Sequence, residues 1–341
     1  MQKTYDIFIG IDVSKDKLDY CITNKETLQN QFGIVANNAK GINGFIKSLL
    51  KTTGSGTSAA NNVNLLFCLE NTGVYSMPLC YWLRAHKLNY AVVAALEIKR
   101  SKGITRGKTD KADARDIAAY ALSHVQELKL SELPQDDFVE LRLLLAEREK
   151  IVKAVNLFAT TAENKNYLPA QVLKTTLHHN KIMMAALNKQ LKQIEKSIDS
   201  LIQRNDVFKH QDELLQSIPG IGRQTSIMFI AYTQAFTLFK TYRQFACFAG
   251  VAPFEYSSGS SVRGKTKVSP LANKKIKTAL NMAALTAKKY DPQLKLYFDK
   301  KVAAGKNKML VLNAIRCKLI SRAFAVINRN SPFVNTLKAV A

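Results

Sequence analysis

The chain has 341 residues, 47% of them hydrophobic, with 50 Lys plus Arg against 26 Asp plus Glu. That composition excludes a largely disordered chain, and no apolar run is long enough to cross a bilayer. The net charge of +24 is uneven: residues 1–130 carry 17 basic and 11 acidic side chains, 131–215 carry 12 of each, and 216–341 carry 21 basic and only 3 acidic. A block so poor in acids points to a polyanion partner, most simply nucleic acid.

Residues 1–130 read as an α/β domain. "YDIFIGIDV" is a strand and "KLDYCITN" pairs with it as a hairpin. "GINGFIKSLL" is helical, "NVNLLFCLE" is a buried strand, "MPLCYWLRAHK" is a helix and "LNYAVVAAL" another strand. Strands alternating with helices predict a sheet covered by helices. "KTTGSGTSAANN", Lys51 to Asn62, reads as a surface loop. The N-terminus runs straight into a strand, without the layout of a signal peptide. Five cysteines with no CxxC pair are expected to be reduced thiols in a cytoplasmic protein.

Four carboxylates stand out in this domain. Asp12 ends the first strand and Glu70 ends a later one, while Asp110 and Asp113 open a helix at i, i+3. Strand ends on one sheet edge are where α/β proteins gather functional groups. Carboxylate oxygens gathered there suit Mg²⁺ or Mn²⁺, and two such ions can polarise a phosphodiester. Each acid also has a plainer reading. Asp12 can be a turn acid, Asp110 an N-cap, and Asp113 and Asp116 complements to the helix dipole. Together, strand-Asp, strand-Glu, helix-Asp-x-x-Asp is the order of a ribonuclease-H-like nuclease core; Asp116 is given no metal role.

Residues 131–215 read as a helical coiled-coil and oligomerisation segment, with ordinary amphipathic helices packed on their own domain as the alternative. Leu187, Leu191, Ile194, Ile198 and Leu201 recur at a/d spacing, and Pro169 breaks two long helices. Residues 216–341 read as mostly helical with basic loops. In "SIPGIGR" the turn resembles a helix-hairpin-helix, with Gly220, Gly222 and Arg223 placed to contact a phosphate. "PFEYSSGSSVRGKTK", Pro253 to Lys267, is either a floppy basic loop or a segment presenting a serine, with Arg263, Lys265 and Lys267 to grip phosphates.

"GIDVSKDKLD", "LENTGVY" and "KTDKADARDIA" resemble the DEDD domain of the insertion sequence 110 family of transposases, akin to the RuvC resolvase. "SIPGIG", "FAGVAPFEYSSGSSVRG" and the basic helical tail resemble that family's C-terminal transposase domain. The resemblance implies a bacterial DNA recombinase guided by a structured bridge RNA that pairs with target and donor DNA. It also implies an oligomer in which one subunit's DEDD domain meets another's serine, acting on the nucleoid. The family's acids fall on Asp12, Glu70, Asp110 and Asp113, and its nucleophile on Ser258, with Ser257 a near rival. The expected chemistry is metal-assisted attack of Ser258 on DNA, since no histidine stands near it in sequence. Three alternatives remain: a hydrolytic Holliday-junction-type nuclease, an actin-like ATP-binding kinase suggested by "GIDVSKDKLDYCI", and a non-catalytic RNA-binding scaffold.

Overall fold

The computed structural model describes residues 4–52, 64–102, 109–160, 166–258 and 262–335. The chain folds as two compact units, Met1–Leu133 and Pro134–Ala341. No described helix is long and apolar enough to cross a membrane.

The first unit is a mixed sheet clad in helices. Its strands are β1 (Ile7–Val13), β2 (Lys17–Asn24), β3 (Asn30–Ala36), β4 (Leu65–Glu70) and β5 (Tyr90–Val93). They lie in the order β3-β2-β1-β4-β5. β1, β2 and β3 pair antiparallel in sequence, whereas β1, β4 and β5 pair parallel. The helices are α1 (Ala39–Thr52), α2 (Met77–Ala85), α3 (Ala95–Ser101) and α4 (Asp110–Ser123). Alternate residues of a strand face opposite sides of the sheet. Ile9, Ile11, Leu65, Phe67 and Leu69 therefore share one core with Ile42, Ile46 and Leu83 of α1 and α2. Phe8, Leu66 and Cys68 share the other with Ile98 of α3 and Ile117 and Ala121 of α4.

The predicted hairpin and the buried strands form where expected. Two details differ. β3 was not expected, and the strand predicted over "LNYAVVAAL" stops at Val93, where the chain turns into α3. The surface loop predicted from Lys51 begins inside α1; residues 53–62 lie outside the described part.

The second unit is helical apart from one ribbon. α5 (Asp136–Thr160) and α6 (Ala170–Arg204) pack antiparallel. Arg204 near the end of α6 pairs with Asp137 and Glu140 at the start of α5, and Arg148 pairs with Glu195. Pro169 sits at the N-cap of α6, where its missing N–H costs nothing. Of the a/d residues, Ile198 and Leu201 are buried in the unit's core and Ile194 packs against it. Then follow α7 (Asp206–Gln216), α8 (Arg223–Thr233), α9 (Tyr242–Phe248), β6 (Pro253–Ser258), β7 (Val262–Val268), α10 (Lys274–Tyr290), α11 (Pro292–Ala303) and α12 (Lys308–Arg329). One continuous core joins the roots of α5 and α6 to α7 through α12.

Candidate active site

Ile11 of β1 is paired with Leu69 of β4, so Asp12 and Glu70 are each the next residue along neighbouring parallel strands. Both continue the alternation of Phe8–Gly10 and Leu66–Cys68, which places them on the sheet face covered by α4. Asp12 also stands opposite Asp19 of β2.

Gly10 brings α4 to that face. A Cβ there would lie 2.3 Å from the Ala114 carbonyl oxygen and 2.3 Å from the Ala118 nitrogen. Ala114 and Ala118 complete the close fit from the helix side, against Cys21 of β2. Thr109, not Asp110, caps α4, its hydroxyl accepting from the Ala112 N–H. Asp110 and Asp113 are thereby freed from capping, and both lie in the first turn of the helix. Gly10→Ala is expected to cost about 2–3 kcal/mol through overpacking, read as a fall in Tm; an unchanged Tm would show that α4 can retreat freely.

Asp12 feels the other acids electrically. Burial, then the charges of Asp113, Asp110, Glu70 and Asp19, raise the Asp12 pKa above the ordinary Asp range. Two lysines thread through the cluster. Lys17 Nζ lies 2.9 Å from Asp19 and 2.7 Å from Asp110. Lys102 Nζ lies 3.1 Å from Asp113 and 3.0 Å from Asp116. Hydrogen bonds to Asp110 and Asp19 raise the Lys17 pKa. At Lys102 burial works against the charge, but the bonds to Asp116 and Asp113 outweigh it and its pKa too is raised. Among the described residues, neither Asp12 nor Glu70 has a basic partner.

Carboxylate oxygens on one face, with Asp12 crowded by like charge, are donors of the kind a divalent cation takes. As placed, no three His, Cys, Asp or Glu side chains among the described residues stand close enough to hold an ion. Asp110 and Asp113 are instead engaged by the lysines. Lys17, Asp19 and Lys102 were not singled out from the sequence. The signal was present in "DVSKDKLD", where Lys17 and Asp19 alternate two residues apart on the strand facing Asp12.

In the second unit, Ser258 is the last residue of β6, paired with Val262, and Ser257 is paired with Arg263. Residues 259–261 lie outside the described part. Most of the segment predicted as a loop is thus a two-stranded antiparallel ribbon, with a bulge between Phe254 and Tyr256. Arg263, Lys265 and Lys267 all lie on β7, and Lys267 is exposed.

The three turn residues have distinct surroundings. Gly220 adopts φ +97°, and a Cβ there would lie 2.5 Å from Ala287 Cβ and 2.7 Å from the Ala283 carbonyl oxygen of α10. It therefore seats the turn against a helix. Gly222, the N-cap of α8, faces open space. The Arg223 guanidinium is bound by Asp212, at 2.7 Å, and by Asp199.

All five cysteines are free. Burial pushes the Cys68 thiol up to about 12 and Cys80 up to about 11, so neither is a nucleophile at neutral pH.

A DEDD transposase model of the IS110 type, described as "Transposase", matches residues 9–169. A second model, "Transposase IS116/IS110/IS902 family", matches residues 212–299. The pilin gene-inverting proteins of Moraxella bovis and Moraxella lacunata are each 28% identical over 338 residues, covering 98% of both chains. An uncharacterized 43.6 kDa protein of insertion element IS110 from Streptomyces coelicolor is 26% identical over 156 residues, 46% of this chain and 37% of that protein. The two matched segments span the carboxylate face and the helical turn of the second unit. The chain belongs to the IS110 family of transposases, DNA-processing enzymes whose substrate is DNA.

Proposed function

We propose that this chain is a recombinase that cuts and rejoins DNA through a covalent bond to Ser258, using the carboxylates of its first unit as a metal site. The observation that carries the reading is the register that sets Asp12 beside Glu70, with Gly10 admitting the acidic first turn of α4 to the same face. The strand order β3-β2-β1-β4-β5, with β2 antiparallel to its neighbours, supports a ribonuclease-H-like, RuvC-like domain. Full-length similarity to proteins named for inverting a pilin gene supports rearrangement of DNA segments as the outcome.

In this reading Asp12, Glu70, Asp110 and Asp113 hold Mg²⁺ or Mn²⁺. When bound, such an ion supplies positive charge to a phosphodiester and to its departing oxygen. The Ser258 Oγ–P bond forms as one P–O bond to deoxyribose breaks, and the serine proton ends on the released hydroxyl. Arg263, Lys265 and Lys267 bind flanking phosphates. A bridge RNA selects target and donor by base pairing, and the protein reads backbone and shape. The working form is a homo-oligomer in the cytoplasm, the helical segment 131–215 providing self-association. RNA recovered with the purified protein, and its sequence, tests the guide directly; protein that recombines DNA with no RNA present overturns that part.

The helical turn carries its own prediction. The free N–H groups at the start of α8 beside Gly222 remain the best candidate for a phosphate contact. Gly222→Ala should leave stability within about 0.5 kcal/mol of wild type, since its Cβ enters open space, but weaken DNA binding. Gly220→Ala should instead lower Tm, through its positive φ and the contact with α10. DNA affinity unchanged in a folded Gly222→Ala protein removes the turn from the interface.

A further inference from the structure

The two lysines in the carboxylate cluster have a feature that the proposed chemistry does not use. Each bridges one helix carboxylate to an acid outside the proposed metal set: Lys17 joins Asp110 to Asp19, and Lys102 joins Asp113 to Asp116. The anchoring acids are the more enclosed member of each pair at Lys17, where the Asp19 side chain is 7% exposed and that of Asp110 53%. Lys17 is also fixed by its backbone. Ser14 Oγ donates to the Lys17 carbonyl at 2.8 Å and accepts from its N–H at 3.3 Å, closing the β1–β2 turn. The ammonium of Lys17 is thus delivered to the cluster by design of the turn, while its side chain stays 40% open to solvent.

We propose that Lys17 and Lys102 are built-in counter-ions that compete with a divalent cation for Asp110 and Asp113, and that an arriving phosphodiester draws their ammonium groups away. The proposal rests on the reading of the carboxylates as a metal site. A lysine ammonium is a compact charge with three rotatable donors, able to serve a carboxylate or a phosphate from the same stem. While it sits on Asp110, it satisfies one carboxylate oxygen and repels an incoming cation. Once it turns to a phosphate, its own hold on that oxygen ends. Cation and DNA then bind with positive coupling, which by linkage is the same in both directions. The consequence is a metal centre that fills best when a phosphodiester is present, which limits cutting without a correctly placed strand. Asp19 and Asp116 are positioning residues in this scheme, holding each lysine at its post.

The test is Mn²⁺ binding, followed by electron paramagnetic resonance of the free ion. It uses full-length protein carrying Ser257→Ala and Ser258→Ala so that no strand is cut. Titrations are run alone and with a short DNA duplex, with a blank of DNA alone. Lys17→Gln should tighten DNA-free Mn²⁺ binding by about fivefold and remove most of the gain that DNA produces. Lys102→Gln should move in the same direction, and Lys17→Arg, which keeps the charge, should behave as the parent. Asp12→Asn in the parent identifies the site. If Asp12→Asn weakens Mn²⁺ binding but Lys17→Gln and Lys102→Gln leave it unchanged or weaker, the lysine proposal is wrong and the metal site stands. If the parent takes up no Mn²⁺ with or without DNA, and Asp12→Asn changes nothing, the metal-site reading fails and the proposal with it. Circular dichroism melts of each variant keep misfolding from passing as an effect on binding.

Discussion

Asp12→Asn should abolish metal-dependent action on DNA while making the metal-free protein more stable. The two effects have one cause. Asp12 is partly buried at a strand end and faces the charges of Asp113, Asp110, Glu70 and Asp19, all of which raise its pKa. A carboxylate whose folded pKa lies above its unfolded value binds a proton more tightly in the folded state. Stability from that group is therefore gained as pH falls through the raised pKa, and at neutral pH the ionised group is a cost. Asparagine removes the cost. In EDTA, the Tm of Asp12→Asn should exceed that of wild type at neutral pH. The gap should shrink as pH is lowered through the raised Asp12 pKa towards the ordinary carboxylate range. With Mn²⁺ the order reverses: at about 100 times Kd the ion stabilises wild type by about 2.7 kcal/mol, whereas the variant gains little. DNA cutting should fall by roughly 10³. Cutting retained within a factor of ten, or a variant less stable than wild type in EDTA at every pH, would falsify the assignment of Asp12 to a crowded metal site.

The sequence disclosed the acids and hid what holds them. Asp12 and Glu70 could be placed at strand ends because β1 and β4 are short apolar runs that close on a carboxylate. Asp110 and Asp113 could be placed on one helix face because that is a local spacing. β3 escaped notice because it is an edge strand, mostly exposed, whose alternation is weak. Its Gly33 lies under the ring of Tyr20, a contact only the folded sheet creates. Gly10 sits in an unremarkable strand run and Gly220 in a turn read as a phosphate contact, yet each proves to be a point where a helix comes within touching distance of another stretch of backbone. Lys17 and Asp110 are 93 residues apart, so their ion pair leaves no local pattern to read. The serine-rich stretch was ambiguous because its composition suits a loop; β6 and β7 pair despite it, with the bulge between Phe254 and Tyr256 taking up a shift in register.

That ribbon sets up the second large effect, Ser258→Ala. Ser257 and Ser258 are adjacent in β6, but Ser258 is the last residue in the ladder and Ser257 is one step back from that end. A ribbon supported by cross-strand pairs can carry its tip into a substrate with less loss of conformational entropy than an unpaired loop of the same length. The three basic residues of β7, on the returning strand, travel with it. If Ser258 forms the covalent bond, wild-type protein incubated with DNA, Mg²⁺ and any co-purified RNA should yield a denaturation-resistant protein–DNA adduct. Ser258→Ala should yield none and lose recombination by roughly 10⁴ or more, the scale of loss when a covalent nucleophile is removed. Ser257→Ala should retain the adduct. Both substitutions remove one hydroxyl at the end of a two-stranded ribbon, so stability should stay within about 0.5 kcal/mol of wild type. The opposite pattern, adduct kept in Ser258→Ala and lost in Ser257→Ala, moves the nucleophile one residue back. Strands cut by wild type with a metal ion but with no adduct at all would make water the nucleophile and the chain a hydrolytic nuclease, for which the carboxylates of the first unit suffice without the ribbon.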